Sequence, residues 1–282
     1  MKLGYTLKME INKKNIKEKI AILGDEQPWN HNISLPDEIE TAPGEQISHG
    51  KNLVKWDRIE PILDLISLKG KTVLDLGCNE GFFSIKLAEK GAKVLGVDID
   101  QLRIKKAKWV QSILKFENPT FRVLDIYSEE FESIDKKFDF CLCMGFIHRI
   151  PDPYTAIKAI SAKTDTILFE WKALKEGPHD ESFAFFSQKD IDHDDFYGTE
   201  YWLCSYTSIE TILKRFGFNY FYRLDDTRNR NKRAILVASK VNNKIFSHPS
   251  VVYHRGRFST FLTHTKRYLK SIHKIFLGEL NS

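Results

Sequence analysis

The sequence predicts an α/β fold, a mostly parallel sheet with helices on both faces, finished by an antiparallel hairpin. Three observations predict it. Apolar runs recur at 72–76, 94–98, 120–124, 138–144 and 166–171, roughly 20–25 residues apart, which is the length of a βα repeat. Helical patterns lie between the earlier runs. Near the end, Phe218 to Leu224 and Arg233 to Ser239 are separated only by the charged stretch Asp225 to Lys232, so they can pair antiparallel.

Taken in order, residues 1–20 read as a polar helix or a frayed arm, since lysines alternate with single apolar residues. Without a continuous apolar core, no signal peptide is expected there. Residues 24–50 hold Pro28, Pro36, Pro43 and three glycines and predict a loop-rich lead-in. Lys51 to Leu68 has apolar residues at helical spacing, interrupted by Pro61, and predicts one helix or two. Phe82, Phe83, Ile85, Leu87 and Ala88 precede Gly91, which suits a helix stopped by a glycine cap. Thr207-Ser-Ile-Glu210 has the spacing of a capping box and predicts a helix running to Gly217. The expected organisation is a lead-in over 1–50, a main domain over 51–240 and a basic helical extension over 241–282.

Composition is that of an ordinary globular chain, with a net charge of +5. No stretch approaches the roughly 20 apolar residues that span a bilayer. Lysines crowd both ends, which suits solvated tails or a contact with nucleic acid or anionic lipid. In the tail, Phe258, Phe261, Leu262, Tyr268, Leu269, Ile272, Ile275 and Phe276 fall largely on one helical face, with cations mostly off it. That pattern fits peripheral membrane contact through residues 258–277, a tRNA contact, or docking on the chain itself. The four cysteines form no CxxC and have no His partners at ligand spacing, so no metal is expected and a reducing cytoplasm is the expected location.

Thr72-Val-Leu-Asp-Leu-Gly-Cys-Asn-Glu-Gly-Phe-Phe-Ser84 predicts chemistry. It reads as a strand running into a glycine loop and then a helix, and the first such turn of an open α/β sheet is where a cofactor docks. Gly77 and Gly81 bare the backbone for close approach. A dinucleotide loop needs GxGxxG, but Asn79 and Phe82 hold the second and third glycine positions. Asp75 and Glu80 would repel a pyrophosphate and favour a cationic ligand. Asp98, 23 residues after Asp75, suits a ribose, with Ile99 beside it. Asp125 suits an adenine amino group, or a turn, with Ile126 over the ring. Met144 and Gly145 end the fourth run, where a methionine moiety would lie. Together these residues specify S-adenosyl-L-methionine (SAM).

These residues resemble the class I SAM-dependent methyltransferases, Rossmann-like proteins whose seven-stranded sheet ends in such a hairpin. More narrowly, residues 28–240 resemble the tRNA wobble-uridine (U34) methyltransferase-like family. That likeness rests on Lys55-Trp-Asp-Arg-Ile59, Phe138-Asp139, Met144-Gly145, Pro153 and Lys232-Arg-Ala-Ile-Leu236. Carboxymethylating members use a lysine after a tryptophan to pair with the extra carboxylate of a modified cofactor, and a tyrosine after the fourth strand. Here His31 and His148 stand at those positions, while Arg233 matches the family's arginine. These departures from the family pattern favour ordinary SAM over its carboxylated form. The family's long tRNA-binding N-terminal region is shortened here, and residues 241–282 match no part of it.

Methyl transfer is an in-line displacement, and a base is needed only where the acceptor must lose a proton. His148 and His31 are the candidate bases, with a loop-fixing histidine and a solvent-exposed one as the plainer alternatives. Arg149 is a candidate partner for an acidic acceptor group. Tyr197, Tyr201, Trp202 and Tyr206 form an aromatic cluster that could stack on a sugar or base, or pack an inserted loop. The expected activity is methyl transfer to a small-molecule or glycan-type acceptor, through oxygen. The alternatives are a tRNA U34 modifier and a non-catalytic SAM-fold binding protein.

Overall fold

The computed structural model describes residues 12–43, 52–135, 137–174, 181–187, 200–224, 233–242 and 244–247. These fall into two compact units, one ending at Phe138 and the other beginning at Asp139.

The first unit opens with helix α1 (Lys13–Glu26), capped by Asn12, whose side chain accepts the Asn15 N–H at 3.0 Å. A small antiparallel pair follows, β1 (Ser34–Leu35) with β2 (Ile39–Glu40), where the sequence predicts only loop. Helix α2 (Asn52–Ile66) is a single helix with Pro61 inside it, and it buries Trp56, Ile59, Ile62 and Leu63.

Strand β3 (Thr72–Leu76) leads to helix α3 (Phe82–Glu89). Gly91, at φ 85°, ends that helix. Its N–H donates to the Ala88 carbonyl at 2.8 Å and the Ala92 N–H to the Leu87 carbonyl at 3.2 Å, the paired bonds of a Schellman cap. Strand β4 (Lys93–Asp98) pairs parallel with β3. Helix α4 (Gln101–Leu114) is capped by Asp100, whose side chain accepts the Leu102 and Arg103 N–H groups. Strand β5 (Thr120–Val123) pairs parallel with β4, and a short helix α5 (Glu129–Glu132) follows. Thr120, Arg122 and Val123 are exposed, as suits an edge strand.

In the second unit, β6 (Phe140–Met144) is buried throughout and pairs parallel with β7 (Thr166–Lys172). Helix α6 (Pro153–Lys163) lies between them, with Pro153 in its first turn and Asp152 capping it. A hairpin of β8 (Phe183–Ser187) and β9 (Glu200–Cys204) follows. Helix α7 (Tyr206–Arg215) comes next. Its cap is Ser205, whose oxygen accepts the Ser208 N–H at 3.1 Å, so the expected capping box at Thr207 lies inside the helix. Glu210 instead pairs with Arg223 at 2.6 Å.

Strands β10 (Tyr220–Arg223) and β11 (Arg233–Ser239) form the expected antiparallel hairpin, and α8 (Lys244–Ser247) follows. The later strand is the inner one, because β11 also pairs antiparallel with β7. Its composition explains this. All but the first of its seven residues are buried, whereas the shorter β10 keeps both ends partly exposed. The sheet order is β10-β11-β7-β6-β3-β4-β5, seven strands, mostly parallel, with the antiparallel strand second from one edge. The sequence's fold class is therefore the observed one. The aromatic face read in the tail, residues 258–277, lies outside the described residues.

Candidate functional site

The glycine turn after β3 is built from backbone bonds. The N–H groups of Gly77 and Cys78 donate to the Val97 carbonyl at 2.9 and 3.0 Å, tying the turn to the end of β4. Gly77, Asn79 and Gly81 have φ of 67°, 53° and 84°. At Gly81 the constraint is double, since a Cβ there would lie 2.6 Å from the Phe121 ring. Gly81 thus makes room for Phe121 beneath the turn, a packing reason that the sequence reading assigned to a ligand.

The two acids of the turn have separate fates. Asp75 is completely buried and accepts a 2.6 Å bond from Ser84 Oγ. Burial pushes its carboxyl up to about 7, against the Ser84 bond and with help from the Asp98 charge. Glu80 is also fully buried, but its charge is met inside the unit. Arg103 Nη1 lies 2.5 Å from Oε1, and the N–H groups of Asn30 and His31 donate to the two oxygens at 2.9 and 3.2 Å. Glu80 is therefore not a free charge for a ligand, which corrects that part of the electrostatic expectation.

Further bonds anchor the lead-in to α4. Arg103 Nη1 donates to the Pro28 carbonyl at 2.7 Å, Gln27 Nε2 to Asp100 at 2.8 Å, and the buried Lys106 ammonium to the Gln27 carbonyl. His31 is only 9% exposed, so the solvent-exposed alternative does not hold. Its ring stands edge-on to Phe83 at 5.6 Å and 5.9 Å from Phe82, with Nδ1 3.6 Å from Glu80.

Asp98 ends β4 at the turn. Its Oδ2 accepts the Asn79 N–H at 2.9 Å and its Oδ1 the Asp100 N–H at 3.0 Å. Lost hydration raises its carboxyl to about 6, although these two bonds act the other way. Asp100 loses hydration too, but bonds from Gln27, Leu102 and Arg103 hold it below the ordinary carboxylate range. Asn79 Oδ1 is a buried acceptor with no partner among the described residues. Ile99 is partly exposed and follows Asp98. Asp125 accepts the Tyr127 N–H at 2.9 Å, the turn-acid geometry, and Ile126 beside it is buried.

In the second unit, β6 ends at Met144, which is buried, and Gly145, at φ 73°, which donates to the Glu170 carbonyl at 2.8 Å. His148 is 3% exposed, with Nε2 3.3 Å from Arg233 Nη1. Arg233 forks onto the fully buried Glu170. Arg149 is half-buried and its N–H bonds the Phe146 carbonyl. The Trp202 N–H donates to the His148 carbonyl at 3.0 Å and its Nε1 to the Pro151 carbonyl at 3.1 Å. Tyr206 packs edge-on against Trp171 at 5.1 Å and is structural. Tyr197 and the Tyr201 side chain lie outside the described residues. Sequence reasoning did not single out Glu170 and Arg103 as partners. An acid inside an apolar strand and an arginine on an apolar helix face are the signals that mark them.

Residues 67–169 match the family model described as a methyltransferase domain. The chain is 28% identical over 155 residues to a tRNA U34 carboxymethyltransferase of Nautilia profundicola, covering 55% of this chain and 48% of that one. It is 36% identical over 111 residues to a ubiquinone biosynthesis O-methyltransferase of Coxiella burnetii, covering 39% and 46%. It thus spans about half the length of the curated relatives it matches. By fold it is similar to the N-terminal domain of EvdMO1, solved in the presence of SAH and D-fucose. That likeness has a TM-score of 0.63 at 18% identity and covers 81% of this chain and 97% of that one. The chain carries a class I SAM-dependent methyltransferase domain, and its cofactor is SAM.

The residues present fit that cofactor. The unpartnered Asn79 oxygen and the Asp98 carboxylate, raised by lost hydration, are acceptors at one turn, as a ligand rich in N–H and O–H groups requires. Among the described residues no cluster suits a metal, and no helix is long and apolar enough to cross a membrane.

Proposed function

We propose that the chain methylates an oxygen of a small-molecule or glycan-type acceptor with ordinary SAM. When bound, SAM supplies a methyl group on a cationic sulfur. Asp98 accepts from the ribose hydroxyls, with Ile99 alongside. Asp125 and Ile126 take the adenine edge and face, and Gly77, Asn79, Gly81 and Phe82 shape the turn. Asp75 supports the turn from below through Ser84. Met144 and Gly145 take the methionine end. His148, Arg149 and His31 serve the acceptor, which they bind and orient.

One observation carries the acceptor class. The aromatic hairpin is bonded to the loop that holds His148, through the Trp202 N–H. On it Phe183 and Phe185 are 41% and 54% exposed, and their rings lie 6.3 and 4.9 Å from that of Trp202. Such a face suits the apolar face of a sugar or another ring. The sugar present with EvdMO1 agrees with this reading. Ordinary SAM is favoured because the arginine that matches the carboxymethylating family is already forked onto Glu170.

The second reading, a tRNA U34 modifier, is favoured by the 28% identity over 155 residues. A transfer assay with methyl-labelled SAM against bulk tRNA and against a glycan and metabolite extract, read by mass spectrometry, separates the two. Label in a glycan or metabolite supports the first reading, and label in tRNA overturns it. SAM binding with no transfer to either would make the chain a binding protein. The four cysteines are buried and none is in a disulfide, which suits the reducing cytoplasm we assign the chain.

A further inference from the structure

Gln27, just past α1, has every polar group engaged except one. Its backbone N–H donates to the Leu23 carbonyl at 3.3 Å. Its carbonyl accepts from the fully buried Lys106 ammonium. Its side-chain Nε2 donates to Asp100 Oδ2 at 2.8 Å. The remaining atom, Oε1, is buried and has no partner among the described residues.

The carboxamide cannot be turned round. Asp100 loses hydration, yet bonds from Gln27, Leu102 and Arg103 hold its carboxyl below the ordinary range. It is a carboxylate, which only accepts, so the end of Gln27 that faces it is the amide nitrogen. Oε1 is then an acceptor held in place. A buried carbonyl left unmet is costly, so this one calls for a donor from a ligand.

The bonds around Asp100 point to which ligand. The Asp100 N–H lies on Asp98 Oδ1 at 3.0 Å, so Gln27 is tied to the acid that ends β4 through one residue. Asn79 reaches the same acid from the glycine turn, with its N–H on Oδ2 at 2.9 Å. Asn79 Oδ1 is a second buried acceptor without a partner among the described residues. Two unmet acceptors thus belong to residues bonded into the Asp98 end of β4. A ribose brings hydroxyl donors to that place.

We propose that Gln27 is a further cofactor-binding residue, whose Oε1 accepts from one hydroxyl of the SAM ribose and so shares the sugar with Asp98. This rests on the proposed reading of Asp98 as the ribose acid. The lead-in then supplies part of the cofactor site. Arg103 and Lys106, bonded to the Pro28 and Gln27 carbonyls, hold that part on α4.

The test is calorimetry of the full chain with S-adenosylhomocysteine (SAH), the demethylated cofactor, and with its 2′-deoxy and 3′-deoxy analogues. Wild type and Gln27→Met are compared. For one of the two hydroxyls, the penalty for its removal should shrink from about tenfold in the wild type to about threefold or less in Gln27→Met. The other penalty should stay as it was. Equal penalties in the two proteins would overturn the proposal, because a residue that only anchors Asp100 weakens all three ligands alike. A second measurement needs no variant affinity. The Gln27 side-chain amide signal in ¹⁵N NMR, identified by its loss in Gln27→Met, should move with SAH and move less with one deoxy analogue. A signal that moves equally with all three would also overturn the proposal. Failure of the Asp98 reading looks different, since Asp98→Ala would then leave SAH affinity unchanged.

Discussion

Glu80 Oε1 sits 2.5 Å from Arg103 Nη1, and both side chains are buried, so an acid of the glycine turn is spent on the chain's own architecture. The same carboxylate accepts the N–H groups of Asn30 and His31. Replacing Arg103 with Met leaves that charge without its cation. The loss should be about 3–5 kcal/mol in urea unfolding. Amide exchange at Asn30 and His31 should quicken with it. A change under about 0.5 kcal/mol would mean that the pair does not hold the lead-in.

Asp98 titrates inside the working range. Its carboxyl lies near 6 and, when ionised, would accept the ribose hydroxyls. SAM affinity should therefore be level above about pH 7 and fall towards tenfold per unit well below pH 6. Calorimetry at several pH values measures this. A flat affinity from pH 5 to 8 would remove Asp98 from the ribose.

Asp75 and Asp98 both stand above the ordinary carboxylate range, at about 7 and about 6. Between their unfolded values near 4 and these folded values, the native chain binds more protons than the unfolded chain. Stability should thus be greatest at the acid end of this window and decline as pH rises to about 7. Asp75→Asn should flatten the decline. Unfolding midpoints at pH 5 and pH 8 check it, and an unaltered slope would count against the burial cost assigned to Asp75.

Gly81→Ala should destabilise the chain by about 1–3 kcal/mol, because its Cβ would strike Phe121 in a left-handed backbone. Gly96→Ala should do likewise, with Ser84 Oγ only 2.7 Å from the added carbon and Phe121 at 2.8 Å. Thermal unfolding measures both, and unshifted midpoints would show that the ring yields freely.

The sheet was legible because its strands are apolar runs broken by turn residues, a local signal. Strands β3, β4, β6 and β7 lie where the runs predict, and Gly91 caps its helix as expected. What escaped depends on contacts between distant residues. Glu80 reads as a ligand-facing acid until Arg103, 23 residues on, reaches it. His31 reads as a surface histidine until the lead-in is anchored on α4. Ser205 and Thr207 are both plausible caps, and only the fold selects Ser205. Of the β8–β9 hairpin, Tyr201 and Trp202 read as part of an aromatic cluster, but Phe183 and Phe185 do not, because the pairing spans residues 183 to 204 and leaves no periodic trace.

Binding of SAM at the glycine turn beside Asp98 is the central claim, and titration calorimetry of the full chain with SAM tests it most directly. The expected result is one-to-one binding, weakened by about 1–3 kcal/mol in a folded Asp98→Ala variant. No binding by the wild-type chain, or equal affinity in the two proteins, would contradict the account.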